Sequence, residues 1–261
     1  KNGKIGPIGF QQYGRRSLVD IDSCEIAKKD INTSLKKIRD DILENAPSYK
    51  KGATILIRSD INDQIHTSSD SIAEEVVEDI KFHFTAGSFF QNNPFILNQF
   101  TKHVRNEAKS KKSKYLIDAY CGAGLFALTS ASAFEEVTGI EISESSIFWA
   151  KKNLSNNSID NVKFITGEIE KFFEQVSYKG NETSIIIDPP RKGCSENFLQ
   201  QLFVFKPQKV VYVSCNPATQ MRDLNLFIEN GYKLTRTQPF DLFPQTRHLE
   251  CIMTLEQSHT I

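Results

Sequence analysis

The chain has 261 residues, is 39% hydrophobic and carries 32 Lys and Arg against 32 Asp and Glu; this is the composition of a packed globular protein and excludes a disordered polyelectrolyte. With charge balanced, a polyanionic partner has to be met by local basic patches, not by the field of the whole molecule. Five cysteines without a C-x-x-C pair argue against a closed disulfide framework and fit a reducing intracellular compartment. No apolar run reaches the roughly 18 to 20 residues of a membrane span. No signal-peptide pattern follows Lys1, so a soluble piece of a longer protein is expected.

Residues 1–80 lack a regular apolar alternation. Within them, 17–21 and 53–58 read as strands and 26–43 as an amphipathic helix, and the polar stretch 59–64 reads as a boundary. This part is too small and polar for an independent domain. From residue 81 the pattern changes. Short β-branched runs at 115–118, 136–141, 162–165, 184–188 and 209–214 alternate with helix-length segments, which predicts βαβ units, a parallel sheet and an α/β fold over 81–261. Residues 232–240 and 248–255 close the chain as an antiparallel pair. Phe89 and Phe90 are expected in the core. The basic clusters Lys36, Lys37 and Arg39, Lys50 and Lys51, and Lys109, Lys111, Lys112 and Lys114 read first as solvated faces, and only together as candidates for a polyanion.

In an open α/β sheet ligands meet the carboxyl ends of the strands. The first strand there runs into Asp118-Ala-Tyr-Cys-Gly-Ala-Gly124, whose glycines allow a sharp turn and a close backbone approach before a helix. Glu141 ends the next strand about 23 residues after Asp118, where a carboxylate can accept from ribose hydroxyls. Glycine loop and acid favour an adenosine-containing cofactor. An Asp opening the loop would disfavour the pyrophosphate of a dinucleotide, whereas S-adenosylmethionine has no phosphate and carries two cationic groups.

Five motifs carry a family resemblance: Phe89-Phe-Gln-Asn-Asn93, Asp118 to Gly124, Asp188-Pro-Pro-Arg191, Ser214-Cys-Asn-Pro-Ala-Thr219 and His248-Leu-Glu-Cys251. In this order the chain resembles the RNA uracil-5-methyltransferases, nearest the eukaryotic tRNA branch that modifies the T-loop uridine. The resemblance implies a Rossmann-like class I S-adenosylmethionine-dependent methyltransferase domain at 81–261 and a partial central, RNA-facing segment at 1–80. It implies Cys215 as nucleophile and Glu250 as general base. Gln91, Tyr120, Leu125, Glu141 and Asp188 would line the S-adenosylmethionine site, with Glu168 near the adenine, and RNA, in particular tRNA, would be the partner.

The chemistry explains those residue types. Carbon 5 of uracil is a poor nucleophile until a thiolate adds to carbon 6, and the carbon 5 proton must afterwards leave. Arg191 and Lys192 are expected to meet RNA phosphates, while Cys121, Cys194 and Cys251 read as structural. Cys24 resembles the last ligand of an iron–sulfur cluster that some members carry, but without partner cysteines no metal is expected. The N-terminal RNA-binding barrel of many members has no counterpart here. Two other readings stay open: an exocyclic-amine methyltransferase, with Arg191 where its Asp-Pro-Pro loop would need an aromatic, and a non-catalytic tRNA-binding or folding module.

Overall fold

Among residues up to Glu75 buried apolar side chains are few, and the first four strands that form there are only two or three residues long. The computed structural model describes residues 5–49, 52–171, 173 and 176–258. It divides into one unit formed by residues up to Glu75 with Thr85–Ser88, and another formed by Val76–Phe84 and the chain from Phe89 on.

In the first unit β1 (Gly9–Gln11) pairs antiparallel with β2 (Leu18–Asp20), α1 spans Lys29–Glu44, and β3 (Arg58–Ser59) pairs with β4 (Ile65–His66). The helix starts three residues later than expected because the Asn32 amide holds the Cys24 backbone, accepting from its N–H at 2.7 Å and donating to its carbonyl at 3.0 Å. The strand expected at 53–58 shrinks to Arg58–Ser59 because β4 offers only two residues of pairing. The stretch 59–64 is a turn inside the unit: Asp60 Oδ1 accepts from the N–H groups of Asn62 and Gln64 at 2.9 and 3.0 Å. Its Oδ2 meets His66 Nε2 at 3.0 Å, and the other ring nitrogen meets Ser71 Oγ at 3.1 Å. Lys50 and Lys51 lie outside the described residues.

The division falls within β5 (Ile72–Val77) and at the end of β6 (Ile80–Thr85), two strands that the sequence reading does not anticipate. In the second unit the Asn153 and Asn157 amides each accept from and donate to the backbone of β6, at His83 and Lys81, over 2.8–3.1 Å. They stand in for a strand neighbour. Phe90 stacks on Phe84 with ring centroids 4.3 Å apart. Phe89, expected in the core beside it, is 75% exposed.

From there the chain alternates: α2 (Pro94–Ala108), β7 (Tyr115–Ala119), α3 (Leu125–Ser130), β8 (Glu136–Glu141), α4 (Glu144–Asn156), β9 (Val162–Thr166), β10 (Thr183–Ile187), α5 (Glu196–Phe205), β11 (Lys209–Ser214), α6 (Pro217–Glu229), β12 (Tyr232–Phe240) and β13 (Glu250–Gln257). Helix starts follow capping chemistry: the side chains of Asn93, Ser143, Ser195 and Asn216 each accept from the first turn. The seven-stranded sheet has the order β12-β13-β11-β10-β7-β8-β9. Its strands β7 to β11 run parallel, and β13 is antiparallel to both neighbours. Every residue of β10 is buried, as expected for a parallel strand covered on both faces. Ile117, Ile185, Val210, Tyr212 and Phe227 centre the core, each burial contributing about 1.5–3 kcal/mol. No helix among the described residues is long and apolar enough to cross a membrane.

Candidate active site

Parallel strands present their carboxyl ends along one edge, and strand order reverses between β7 and β10, where such sheets open a crevice. A cavity of about 780 Å³ lies there. Gln91, Tyr120, Leu125, Glu141, Asp188, Cys215 and Glu250, the residues singled out from the sequence, all line it, and so does Glu168.

The loop after β7 is built for close approach. Tyr120, Gly122 and Gly124 take left-handed φ values of 66°, 53° and 91°, a region in which a non-glycine such as Tyr120 is strained. A Cβ on Gly124 would also come within 2.8 Å of the Phe164 ring. Glu141 braces this loop: its Oε2 accepts from Gly122 N–H at 3.2 Å and its Oε1 from Ser143 N–H at 2.9 Å. Each oxygen keeps a further acceptor position. Behind the loop Asp118 is fully buried, with Oδ2 accepting from Ala127 N–H at 2.8 Å and Oδ1 without a hydrogen-bond partner among the described residues. Burial pushes its pKa up to about 8.

The other wall carries Asp188, Cys215 and Glu250. Asp188 follows β10 and is stiffened by Pro189 and Pro190. Burial, then Glu250 and Asp118, raise its pKa well above the carboxylate range. Cys215 follows β11 as a free, half-buried thiol. Burial raises its pKa, Glu250 and Asp188 add to this, and Arg191 opposes it. Arg191 lines the same cavity as Cys215; this is the side chain that the sequence reading sends to phosphates with Lys192. Glu250 is 6% exposed, and burial lifts its pKa from 4.5 to about 7 against the pull of Arg191.

Glu250 reaches this place because β13 runs backwards. Ser214 at the end of β11 pairs with Cys251, so the residue before Cys251 stands next to the residue after Ser214. A strand running the other way would have put the carboxylate at the far edge.

The sequence reading does not assign Cys121, Ile142, Ser195 or Phe243 to the site, yet all line the cavity. Cys121 is buried and its thiol is pushed well up by that burial and by Asp118, consistent with a packing role. His248 lines the cavity and packs edge-on against Phe243 at 6.1 Å. Its neighbourhood in the His248-Leu-Glu-Cys251 motif was the available signal.

A seven-stranded sheet with its last strand reversed, a glycine loop after the first parallel strand and a ligand cavity along the carboxyl edge define the class I S-adenosylmethionine-dependent methyltransferase fold. The Pyrococcus abyssi tRNA (uracil-54, C5)-methyltransferase, solved in complex with S-adenosyl-L-homocysteine, shares it: the TM-score is 0.76 over 95% of this chain and 72% of that one, at 24% identity. The chain belongs to the tRNA (uracil-5-)-methyltransferase family, whose model matches residues 26–258. It is 43% identical over 98% of its length to the tRNA (uracil(54)-C(5))-methyltransferase of Schizosaccharomyces pombe, and 37% identical over 95% to that of Saccharomyces cerevisiae. It spans about half the length of these curated relatives, 52% and 49%.

Proposed function

We propose that the protein transfers a methyl group from S-adenosylmethionine to carbon 5 of a uridine in tRNA, the T-loop uridine, through a covalent bond from Cys215. One observation carries this reading: a cysteine and a carboxylate from different strands, Cys215 and Glu250, face the same cavity as the glycine loop and Glu141. The names of the relatives, which specify uracil 54, support the choice of position.

The cavity suits the cofactor. Glu141, Glu168, Glu170 and Asp188 line it, and the unpartnered oxygen of Asp118 lies behind the loop. Such an acidic lining favours a ligand with sulfonium and ammonium charges and no phosphate. When bound, S-adenosylmethionine supplies the methyl group as an electrophile.

The chain's own residues do the rest. The Cys215 thiol loses its proton to solvent, and the thiolate adds to carbon 6, sending the ring electrons into an enolate that makes carbon 5 nucleophilic. Once carbon 5 carries the methyl group, Glu250 removes its proton. The released electron pair re-forms the double bond between carbons 5 and 6 and expels the sulfur. A base with a pKa of about 7 is well matched to this step near neutral pH, so the rate of proton removal should rise as pH rises through 7.

The test is methyl transfer from labelled cofactor to unmodified tRNA, followed by nucleoside analysis. The expected product is 5-methyluridine. RNA containing 5-fluorouridine should become trapped on the protein, because fluorine cannot leave as a cation. Production of 5-methyluridine with no trapped species would rule out the covalent route, and a methylated exocyclic amine would rule out the reaction class.

A further inference from the structure

Helix α6 starts two residues after Cys215, and its first turns reach back to the loop that follows Asp188. Asn216 Nδ2 donates to the carbonyl of Arg191 at 2.9 Å, and Thr219 Oγ1 donates to the same oxygen at 3.2 Å. One turn later Arg222 Nη2 donates to the carbonyls of Lys192 and Cys194 at 3.2 and 3.3 Å. The buried Asp223 accepts from Cys194 N–H at 3.0 Å and from Tyr212 Oη at 2.7 Å. Two bonds therefore fix the backbone of Arg191 from the nucleophile's own helix, and Arg191 and Cys215 line one cavity.

Glu250 from β13 and Asp188 from the loop after β10 line the same cavity, and their charge raises the pKa of the thiol while Arg191 lowers it. Lys192 and His248 line the same cavity. A half-buried thiol in a cavity that also holds carboxyl groups keeps its proton unless a cation is held near it. Arg191 is exposed and has a long, rotatable side chain, so contact requires that its backbone be held.

We propose that Asn216 and Thr219 are positioning residues that hold Arg191 as the counter-cation of the Cys215 thiolate. This deepens the proposed reaction and rests on Cys215 being its nucleophile. The guanidinium keeps all its protons; it donates a hydrogen bond to the sulfur, whose proton leaves to solvent. The same side chain opposes the upward shift of Glu250, so it favours the charged forms of both reacting groups.

Iodoacetamide reads the thiolate without RNA or cofactor. Alkylation of Cys215, followed by mass spectrometry of its peptide across pH, should inflect at higher pH in Arg191→Gln than in the parent. The expected shift is about one unit, a roughly ten-fold slower reaction below the inflection. Thr219→Val should shift the inflection in the same direction by less, and Thr219→Ser, which keeps the hydroxyl, should restore it. An unmoved inflection in Arg191→Gln with an unchanged circular dichroism spectrum overturns the proposal. A shift in Arg191→Gln but none in Thr219→Val or Asn216→Ser overturns the positioning roles. If the inflection moves as expected but the parent protein traps no 5-fluorouridine RNA, the pairing of Arg191 with the sulfur stands and the proposed reaction falls.

Discussion

The two units are held together by different means. In the second, buried strands such as β10 and the cluster around Tyr212 and Phe227 stabilise the fold through apolar burial. The first has few buried apolar side chains among its described residues, Ile42, Ala73 and Ala86, and polar side chains do the joining. Arg39 donates to the Ile8 carbonyl at 2.8 Å and pairs with Asp20 and Asp22 at 2.9 and 3.2 Å. Asn32 holds Cys24, and His66 is bracketed by Asp60 and Ser71. Each such bond contributes only about 1 kcal/mol net. Where apolar residues are scarce, a chain is fixed by side chains bonding backbone; the groups that need exact mutual placement sit on the apolar sheet.

The sharpest separation of chemistry from fold should come at the end of β11. Cys215→Ala should abolish methylation and any protein–RNA adduct, with thermal unfolding unchanged. Glu250→Gln should still form the adduct but resolve it roughly 10²- to 10⁴-fold more slowly, giving a slow band on a denaturing gel that Cys215→Ala lacks.

Stability should then show which unit rests on burial. Ile185→Ala in β10 should destabilise by about 2–5 kcal/mol in urea unfolding. His66→Ala, which leaves the buried Asp60 carboxylate without its partner, should cost about 1–3 kcal/mol and should appear in amide exchange at β3 and β4. If both changes lower protection equally throughout the chain, the contrast between the units is wrong.

Between these lies the strain stored in the site itself. The folded pKa of Glu250, about 7 against an ordinary 4.5, means that its proton is bound more tightly in the folded protein. Its ionised form therefore destabilises the fold: the penalty is absent below pH 4.5, grows between 4.5 and 7, and is complete above 7. Glu250→Gln should accordingly be more stable than the parent at pH 8, by on the order of 3 kcal/mol, with no such gain at pH 4. Equal stabilities at pH 8 would mean that the carboxylate is not strained.

The smallest effect expected in the second unit is at Glu141. Removing its carboxylate frees the N–H groups of Gly122 and Ser143, so Glu141→Ala should stay folded and lose about 1.5–3 kcal/mol of S-adenosylmethionine affinity by calorimetry. Unchanged affinity would move the adenosine site away from the glycine loop.

Much of this protein was legible in the residues alone. The runs that became β7 to β11 are five or six residues long and mostly apolar or β-branched, and parallel strands buried on both faces, such as β10 and β11, have to read that way. The glycine loop, Glu141 at a strand end and Cys215 after a strand follow from the same local pattern. What failed locally depended on neighbours: residues 53–57 have strand-like composition but no partner to pair with, and Phe89 is as apolar as Phe90 yet faces outward.

The distant juxtapositions were decided by the tertiary structure. About 35 residues separate Cys215 from Glu250, a distance along the chain that fixes no distance in space; the reversed direction of β13 and its register on β11 bring the two together. Arg191 reads in sequence as one more basic residue beside Lys192, and only α6, bonding back to its carbonyl, fixes that loop beside the cavity that Cys215 also lines. Local composition determines which residues form strands, turns and caps, because those preferences act over a few bonds. Which charged groups share a cavity depends on strand direction and register, which no short stretch of sequence contains.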